Sequence, residues 1–147
     1  MKKNLSRAAA AVVLSAALLS LAGCQTVVQE VDAQDAVTIQ LVCQSEDVYQ
    51  IFYSTYLEGE AYGQGGWADL DGKALTPETS LTASFDKEYF EGKDISTLSM
   101  DFSPYGEGDT VELATTEQVA IPAEYGETYT ILFTGDEENG FTAQLRP

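Results

Sequence analysis

The chain has 147 residues, of which 24 are acidic, seven are basic and none is histidine, giving a formal net charge of −17. This length suits one domain with a modest core. The negative charge disfavours nucleic acid and anionic lipid as partners. The lack of histidine excludes Ser–His–Asp and Cys–His catalysis in this chain and removes the commonest ligand of transition metals.

The first 23 residues combine a basic start with an uncharged apolar run. Lys2, Lys3 and Arg7 lead into residues 8–23, which contain no charged side chain and consist of Ala, Val, Leu, Ser and Gly. The run is too short and too rich in small residues for a membrane span. The pattern is typical of a secretory signal peptide, which we expect to be helical.

The apolar run ends in Leu21-Ala22-Gly23-Cys24, which resembles the lipobox of bacterial lipoproteins. The resemblance implies a diacylglyceryl group on Cys24, cleavage just before it, and a chain attached to the membrane that faces outside the cytoplasm. The cleaved chain keeps four basic and all 24 acidic residues, a formal charge of −20. Gln25 does not resemble the Asp that typically retains lipoproteins at the inner membrane, so a host with two membranes is expected to carry this chain on the outer one.

Residues 24–35 are predicted to be a lipidated tether and residues 36–147 a folded domain. The tether is polar, and its apolar residues show no sustained periodicity. From Val37 to Cys43, apolar residues alternate with others, which predicts a strand that buries Cys43 as an inert thiol. If Cys24 carries lipid, no disulfide within the chain remains for Cys43; without lipidation, a Cys24–Cys43 disulfide is the alternative.

Short strands are predicted through the rest of the chain. Residues 48–57 are apolar on both faces, which indicates a central strand or one covered by a loop. Further strands are predicted at 81–85, 98–102, 111–113, 119–121, 129–133 and 141–145, with a helical turn at 86–90. Gly, Pro, Asn and Asp mark the turns between them, among which Pro104-Tyr105-Gly106 is predicted to follow the strand at 98–102. Asn139-Gly140 predicts a hairpin between the last two strands. Seven or eight short strands indicate an all-β sandwich.

The segment 121–135 resembles the penultimate strand of immunoglobulin-like and fibronectin-type-III-like domains. In that strand Pro122 and Gly126-Glu127-Thr128 lead into Tyr129. The resemblance implies an immunoglobulin-like antiparallel β-sandwich of about seven to eight strands, in which the Tyr129 hydroxyl caps the preceding corner. Sandwiches of this kind serve many unrelated roles, so the resemblance implies a fold and no function.

The segment from residue 53 to residue 67 combines aromatic residues with four glycines. Its aromatic members are Tyr53, Tyr56, Tyr62 and the only tryptophan, Trp67. Such a segment can form a stacking platform for sugar rings or anchor a protein interface, where Tyr and Trp dominate the binding energy. The structural alternative is a hairpin whose Trp67 closes the end of the core, with glycines that serve only the turns.

Two acidic turns have the composition of calcium loops. The acidic residues in them are Asp69 and Asp71 in the first turn and Asp136, Glu137 and Glu138 in the second. An EF-hand loop that begins at Asp69 requires a closing Glu at its twelfth position, where this chain has Ser80. We therefore predict solvated turns and no cofactor or metal site, with weak calcium binding at either turn as the alternative.

Together these patterns predict a lipid-anchored cell-envelope protein with a non-catalytic binding or scaffolding domain. Its expected partners are the membrane, through Cys24, and an envelope protein or polysaccharide; nucleic acid is not expected. The first alternative is a small carbohydrate-binding module that uses Trp67 and the nearby tyrosines. The second is a hydrolase with a carboxylate pair. No catalytic residue is identified, because 24 acids make neighbouring carboxylates unavoidable.

Overall fold

Two four-stranded sheets face each other in the computed structural model, which describes residues 32–108 and 111–147. The predicted all-β sandwich is confirmed, with eight strands in this part of the chain. The strands are β1 (Ala36–Cys43), β2 (Gln50–Leu57), β3 (Glu60–Ala68), β4 (Leu81–Asp86), β5 (Ser99–Tyr105), β6 (Val119–Ala120), β7 (Thr128–Asp136) and β8 (Gly140–Leu145). The short helix α1 (Lys87–Phe90) and 3₁₀ turns at Ala33–Asp35 and Ile95–Thr97 complete the elements. The predicted signal peptide, the lipobox and Cys24 lie outside the described residues.

The first sheet has the strand order β4-β1-β7-β8 and the second sheet the order β3-β2-β5-β6. Five of the six strand pairings in these sheets are antiparallel, as predicted. The sixth, between β1 and β7, is parallel and sets Ile39 opposite Tyr129. Parallel neighbours need a long connection, and here the chain passes through both sheets between β1 and β7, so no hairpin dictates their relative direction.

Strand alternation produces the core. Along β1, Val37, Ile39, Leu41 and Cys43 are buried, whereas Thr38, Gln40 and Val42 on the other face keep some solvent contact. Cys43 is a free thiol without exposure, and burial raises its pKa. The predicted burial of the thiol is confirmed. Its inertness stays a prediction, which the raised pKa supports because the thiolate is the nucleophile.

The glycine-rich segment that follows β2 is itself a strand, β3, which the sequence pattern did not predict. A two-residue turn joins β2 to β3, with φ of +55° at Glu58 and +81° at Gly59. Positive φ at both positions is the requirement of the tightest hairpin turns. β2 thereby lies between β3 and β5, which confirms the predicted central strand.

Aromatic rings of β2 occupy the space above the glycines of β3. Tyr53 is paired with Gly65 and Phe52 with Gly66. A methyl group at Gly65 would overlap the hydroxyl of Tyr53 and lie 2.5 Å from its Cζ; one at Gly66 would lie 2.9 Å from Cδ1 of Phe52. None of these glycines has a positive φ. They provide close approach for rings rather than turn geometry, and the rings cover an edge strand that has few side chains of its own.

Helix α1 begins where the sequence predicted a helical turn, and it closes the same edge of the sandwich. The side chain of Asp86 accepts a hydrogen bond from the Tyr89 amide as an N-cap. The Tyr89 hydroxyl bonds to that of Thr55 at 2.8 Å, and its ring lies against Gly63. Tyr62 donates to the Tyr89 carbonyl at 2.6 Å.

The C-terminal corner agrees with the predicted tyrosine corner. The Tyr129 hydroxyl donates to the Pro122 carbonyl at 2.6 Å and accepts from the Glu124 amide at 3.0 Å. The predicted hairpin is also present: Asp136 accepts from the Asn139 amide, and Gly140 has a φ of +88°. The Tyr129 bonds fix the connection between β6 and β7, and the Asn139 bond fixes the turn between β7 and β8.

Two expectations near the end of β5 were wrong. Pro104 and Tyr105 belong to the strand rather than to a turn. β6 pairs only with Ser99 and Met100, so the later part of β5 is an edge, where proline is tolerated. The strand predicted at residues 111–113 is reduced to one bridge between Tyr105 and Glu112. The apolar alternation there reflects Leu113 packing against the core.

We expect Gly65→Ala to destabilise the domain by roughly 1–3 kcal/mol, because the ring of Tyr53 is held between Trp67 and Phe85 and cannot move away. Chemical denaturation followed by tryptophan fluorescence measures this change. Gly106→Ala is the matched control, since its nearest atom is Leu113 Cδ2 at 3.7 Å. Equal stabilities of the two variants would contradict the packing role of Gly65.

Candidate functional site

The four aromatic residues predicted as a platform do not share one surface. Tyr53, Tyr62 and Trp67 lie on the inner side of the second sheet and pack against the core. Tyr56 lies on the opposite face of β2, since Ile51, Thr55 and Leu57 are the buried members of that strand. The structure therefore brings Tyr53 and Trp67 into contact at the edge of the core and places Tyr56 on the outer face, where Tyr62 lines the depression that Tyr56 borders.

Trp67 bridges the two sheets at their open edge. Its Nε1 donates to the Thr82 carbonyl of β4 at 3.1 Å, which satisfies a backbone acceptor of an edge strand. The indole lies 4.7 Å from the ring of Tyr53 and is stacked parallel to Phe102 at 6.4 Å between centroids. This arrangement matches the structural interpretation of Trp67 as the residue that closes the end of the core.

The outer face of the second sheet carries a different set of aromatic residues, which we call the outer aromatic face: Phe52, Tyr56 and Tyr105. Phe52 is 41% exposed, and its ring meets that of Tyr105 edge to face at 5.2 Å. The sequence pattern placed Phe52 and Tyr56 on one face of β2 but assigned Tyr105 to a turn. The signal that identifies Tyr105 is its alternation with Phe102 and Met100, which are buried.

Carboxylates hold two of these rings in place. The Tyr56 hydroxyl donates to Asp101 Oδ2 at 2.7 Å, and this hydrogen bond raises the pKa of Tyr56. Tyr105 donates to Glu112 Oε2 at 3.2 Å; loss of solvent contact and the negative charge of Glu112 raise the pKa of Tyr105. Each hydroxyl therefore stays protonated at neutral pH as a donor to its carboxylate.

Glu112 itself is fixed by three hydroxyl groups. Thr115 donates to its Oε1 at 2.7 Å, and Ser103 lies 3.4 Å from the same oxygen. The hydrogen bond from Thr115 is the largest cause of a lowered pKa of Glu112. The other carboxyl groups with shifted pKa values, Asp94 and Asp136, also shift downward. A general acid in glycoside hydrolysis needs a carboxyl group whose pKa is raised.

The second acidic turn lines a cleft at one end of the sandwich with a volume of about 490 Å³. Its carboxylates are those of Glu46, Asp47, Glu107, Asp136, Glu137 and Glu138. Asp136 uses both oxygens to accept from the side-chain amide of Asn139, which lowers its pKa and fixes the hairpin. Within residues 32–108 and 111–147, no group of three or more potential ligands is placed to hold a metal ion. Weak calcium binding at this turn stays the untested alternative to a solvated turn.

In the first acidic turn, backbone amides donate hydrogen bonds to the carboxylate of the residue that begins the turn. Asp69 Oδ1 accepts from the amides of Asp71 at 2.9 Å and Lys73 at 3.3 Å, and Lys73 forms an exposed ion pair with Asp71. Weak calcium binding at Asp69 and Asp71 likewise stays an untested alternative. In the part of the chain that the structure describes, no helix has the length and apolar character needed to cross a membrane.

Comparison of this chain with models of protein families gives no match, and comparison with curated proteins gives none either.

We expect Trp67→Ala to reduce the free energy of unfolding by about 3 kcal/mol, because it removes the stacking on Phe102 and the ring contact with Tyr53. Trp67→Phe keeps an aromatic ring and loses the hydrogen bond to Thr82, so its cost is expected near 1 kcal/mol. Urea denaturation followed by circular dichroism measures both. A Trp67→Ala variant as stable as the parent would show that Trp67 is a surface residue and not part of the core edge.

Proposed function

We propose that this chain is a lipid-anchored cell-envelope protein whose sandwich domain is a non-catalytic binding module. The observation that carries this proposal is the outer aromatic face. Phe52 is one of only three large hydrophobic residues exposed in the described part of the chain, and it lies beside Tyr105 on a flat sheet. Exposed aromatic residues next to fixed polar groups are typical of binding surfaces.

The two outer faces of the sandwich differ in chemistry. On the first sheet most outward residues are polar, and two pairs of them satisfy each other: Thr38 bonds to Ser84 at 3.1 Å and Thr134 to Thr142 at 3.0 Å. The apolar members of this face, Val42 and Leu132, are aliphatic and only partly exposed. The second sheet presents rings there instead, so the binding function is proposed for that sheet.

The proposed lipid on Cys24 and the structure of the tether set the reach of the domain. The C-terminal end of the tether is held to the sandwich, because Asp32 caps the 3₁₀ turn Ala33–Asp35 and Asp35 forms an ion pair with Lys87 of α1. Residues 25–31 then separate Cys24 from the described chain. Seven residues span at most about 25 Å, so the proposed module works close to the membrane surface.

The anchor is tested with Cys24→Ala in the full chain. Because the thioether to lipid forms only at cysteine, the variant is expected to lose lipid labelling and to leave the membrane fraction. Fractionation with metabolic fatty-acid labelling measures both, and Cys43→Ala is the control that keeps the lipobox intact. If the Cys24→Ala chain stays processed and bound to membranes, the lipoprotein assignment is wrong.

The binding face is tested by capture from a solubilised cell envelope. The processed chain on beads is expected to retain a component, protein or polysaccharide, that a Phe52→Ser chain does not retain. Leu70→Ser serves as the control, because Leu70 is fully exposed in a loop outside the outer aromatic face. Identical retention by all three chains would remove the support for this face as the binding surface.

A further inference from the structure

A shallow groove crosses the outer aromatic face along β2 and β3. It consists of two adjoining depressions with volumes of about 410 and 290 Å³. Phe52 and Tyr105 border the first, Tyr56 borders the second, and Ser54 and Gln64 line both. Phe52 and Tyr56 are four positions apart along the strand, a distance of about 13 Å at 3.3 Å per residue. The groove is therefore elongated, with an aromatic ring at either end.

The floor of the groove lies close to the backbone because β3 contributes glycine there, which has no side chain to fill the space. Gly65 and Gly66 line the first depression, and the Cδ1–Cε1 edge of Phe52 leans over Gly66. Between the rings, Ser54 and Gln64 are paired across the two strands. A flexible polymer chain can approach such a floor closely, and both of these side chains can donate and accept hydrogen bonds.

The polar groups around the groove are pre-organised. Asp101 holds the hydroxyl of Tyr56, and Glu112 holds that of Tyr105. Fixing the rings before a ligand arrives reduces the entropy lost on binding. Asp101 Oδ1 accepts no hydrogen bond from the described residues, so it remains available to a hydroxyl donor.

Charge excludes several kinds of ligand. The four basic side chains of the described chain, Lys73, Lys87, Lys93 and Arg146, line neither depression. Lys93 comes near the second one, with its Nζ 6.0 Å from the ring centroid of Tyr62, which lines that depression. Asp101 and Glu112 give the face a negative potential, which repels anionic polymers. A ligand with apolar ring faces, many hydroxyl donors and no charge fits these constraints.

On this basis we propose that the groove binds a neutral polysaccharide. The weakly positive C–H bonds on one face of a pyranose ring would stack on the negative faces of Phe52 and Tyr56, while sugar hydroxyls bond to Ser54, Gln64 and Asp101. This inference rests on the proposed binding function and names its ligand class. The sequence offered carbohydrate binding as an alternative role for Trp67 and its neighbouring tyrosines. The present proposal assigns that role to the other face of β2.

Affinity electrophoresis of the processed, lipidated chain in mild detergent tests the proposal, since its strong negative charge makes it migrate readily. The probes are neutral β-glucan, xyloglucan and galactomannan, with polygalacturonate as the anionic comparison. We expect retardation by at least one neutral polymer and none by polygalacturonate. Phe52→Ala and Tyr56→Ala are each expected to weaken that binding about tenfold, which corresponds to about 1.4 kcal/mol.

Leu70→Ala is the matched control and is expected to bind like the parent. Trp67 fluorescence, recorded for each variant, verifies that its fold is intact. The proposal is wrong if no neutral polymer retards the chain, if polygalacturonate does so equally, or if Phe52→Ala and Leu70→Ala behave alike. If Phe52-dependent capture of an envelope protein persists without any polysaccharide binding, the proposed binding module stands and its ligand class is a protein instead.

Discussion

Close packing of aromatic rings on glycines is the interaction on which the second sheet depends. Tyr53 needs Gly65, and Tyr89 needs Gly63, because a methyl group at either glycine would occupy the volume of the ring. With the rings in place, Trp67 reaches across to β4 and joins the two sheets at their open edge. The same strand therefore closes the core on its inner side and provides the floor of a groove on its outer side.

The carboxylates of the chain are unevenly distributed over the sandwich. Six carboxylates surround one cleft at the end of the sandwich, where water screens their repulsion. The outer face of the first sheet carries mainly polar side chains, among them paired threonine and serine hydroxyls, and that of the second carries aromatic rings with two fixed carboxylates. The acidic cleft and the exposed rings thus occupy different parts of the surface.

Local signals predicted most of the strands and missed one for a physical reason. Apolar alternation identified β1, β2, β4, β5, β6, β7 and β8, and the Asn139-Gly140 turn identified the last hairpin. β3 escaped detection because glycine carries no side chain to alternate, and because its hairpin turn uses Glu58 where Asn or Asp is usual. The strand is stabilised by rings from other elements, which no window of neighbouring residues contains.

The sequence by itself determined the sandwich class, the helical turn after β4, the buried Cys43 thiol and the tyrosine corner at Tyr129, because each depends on periodicity or on residues close in the chain. Tertiary structure decided which face of β2 is the surface. Tyr53 and Phe52 are adjacent and chemically alike, and only the position of the opposing sheet makes the first a core-edge residue and the second an exposed one. The parallel pairing of β1 with β7 was likewise decided by packing, since no local turn connects them.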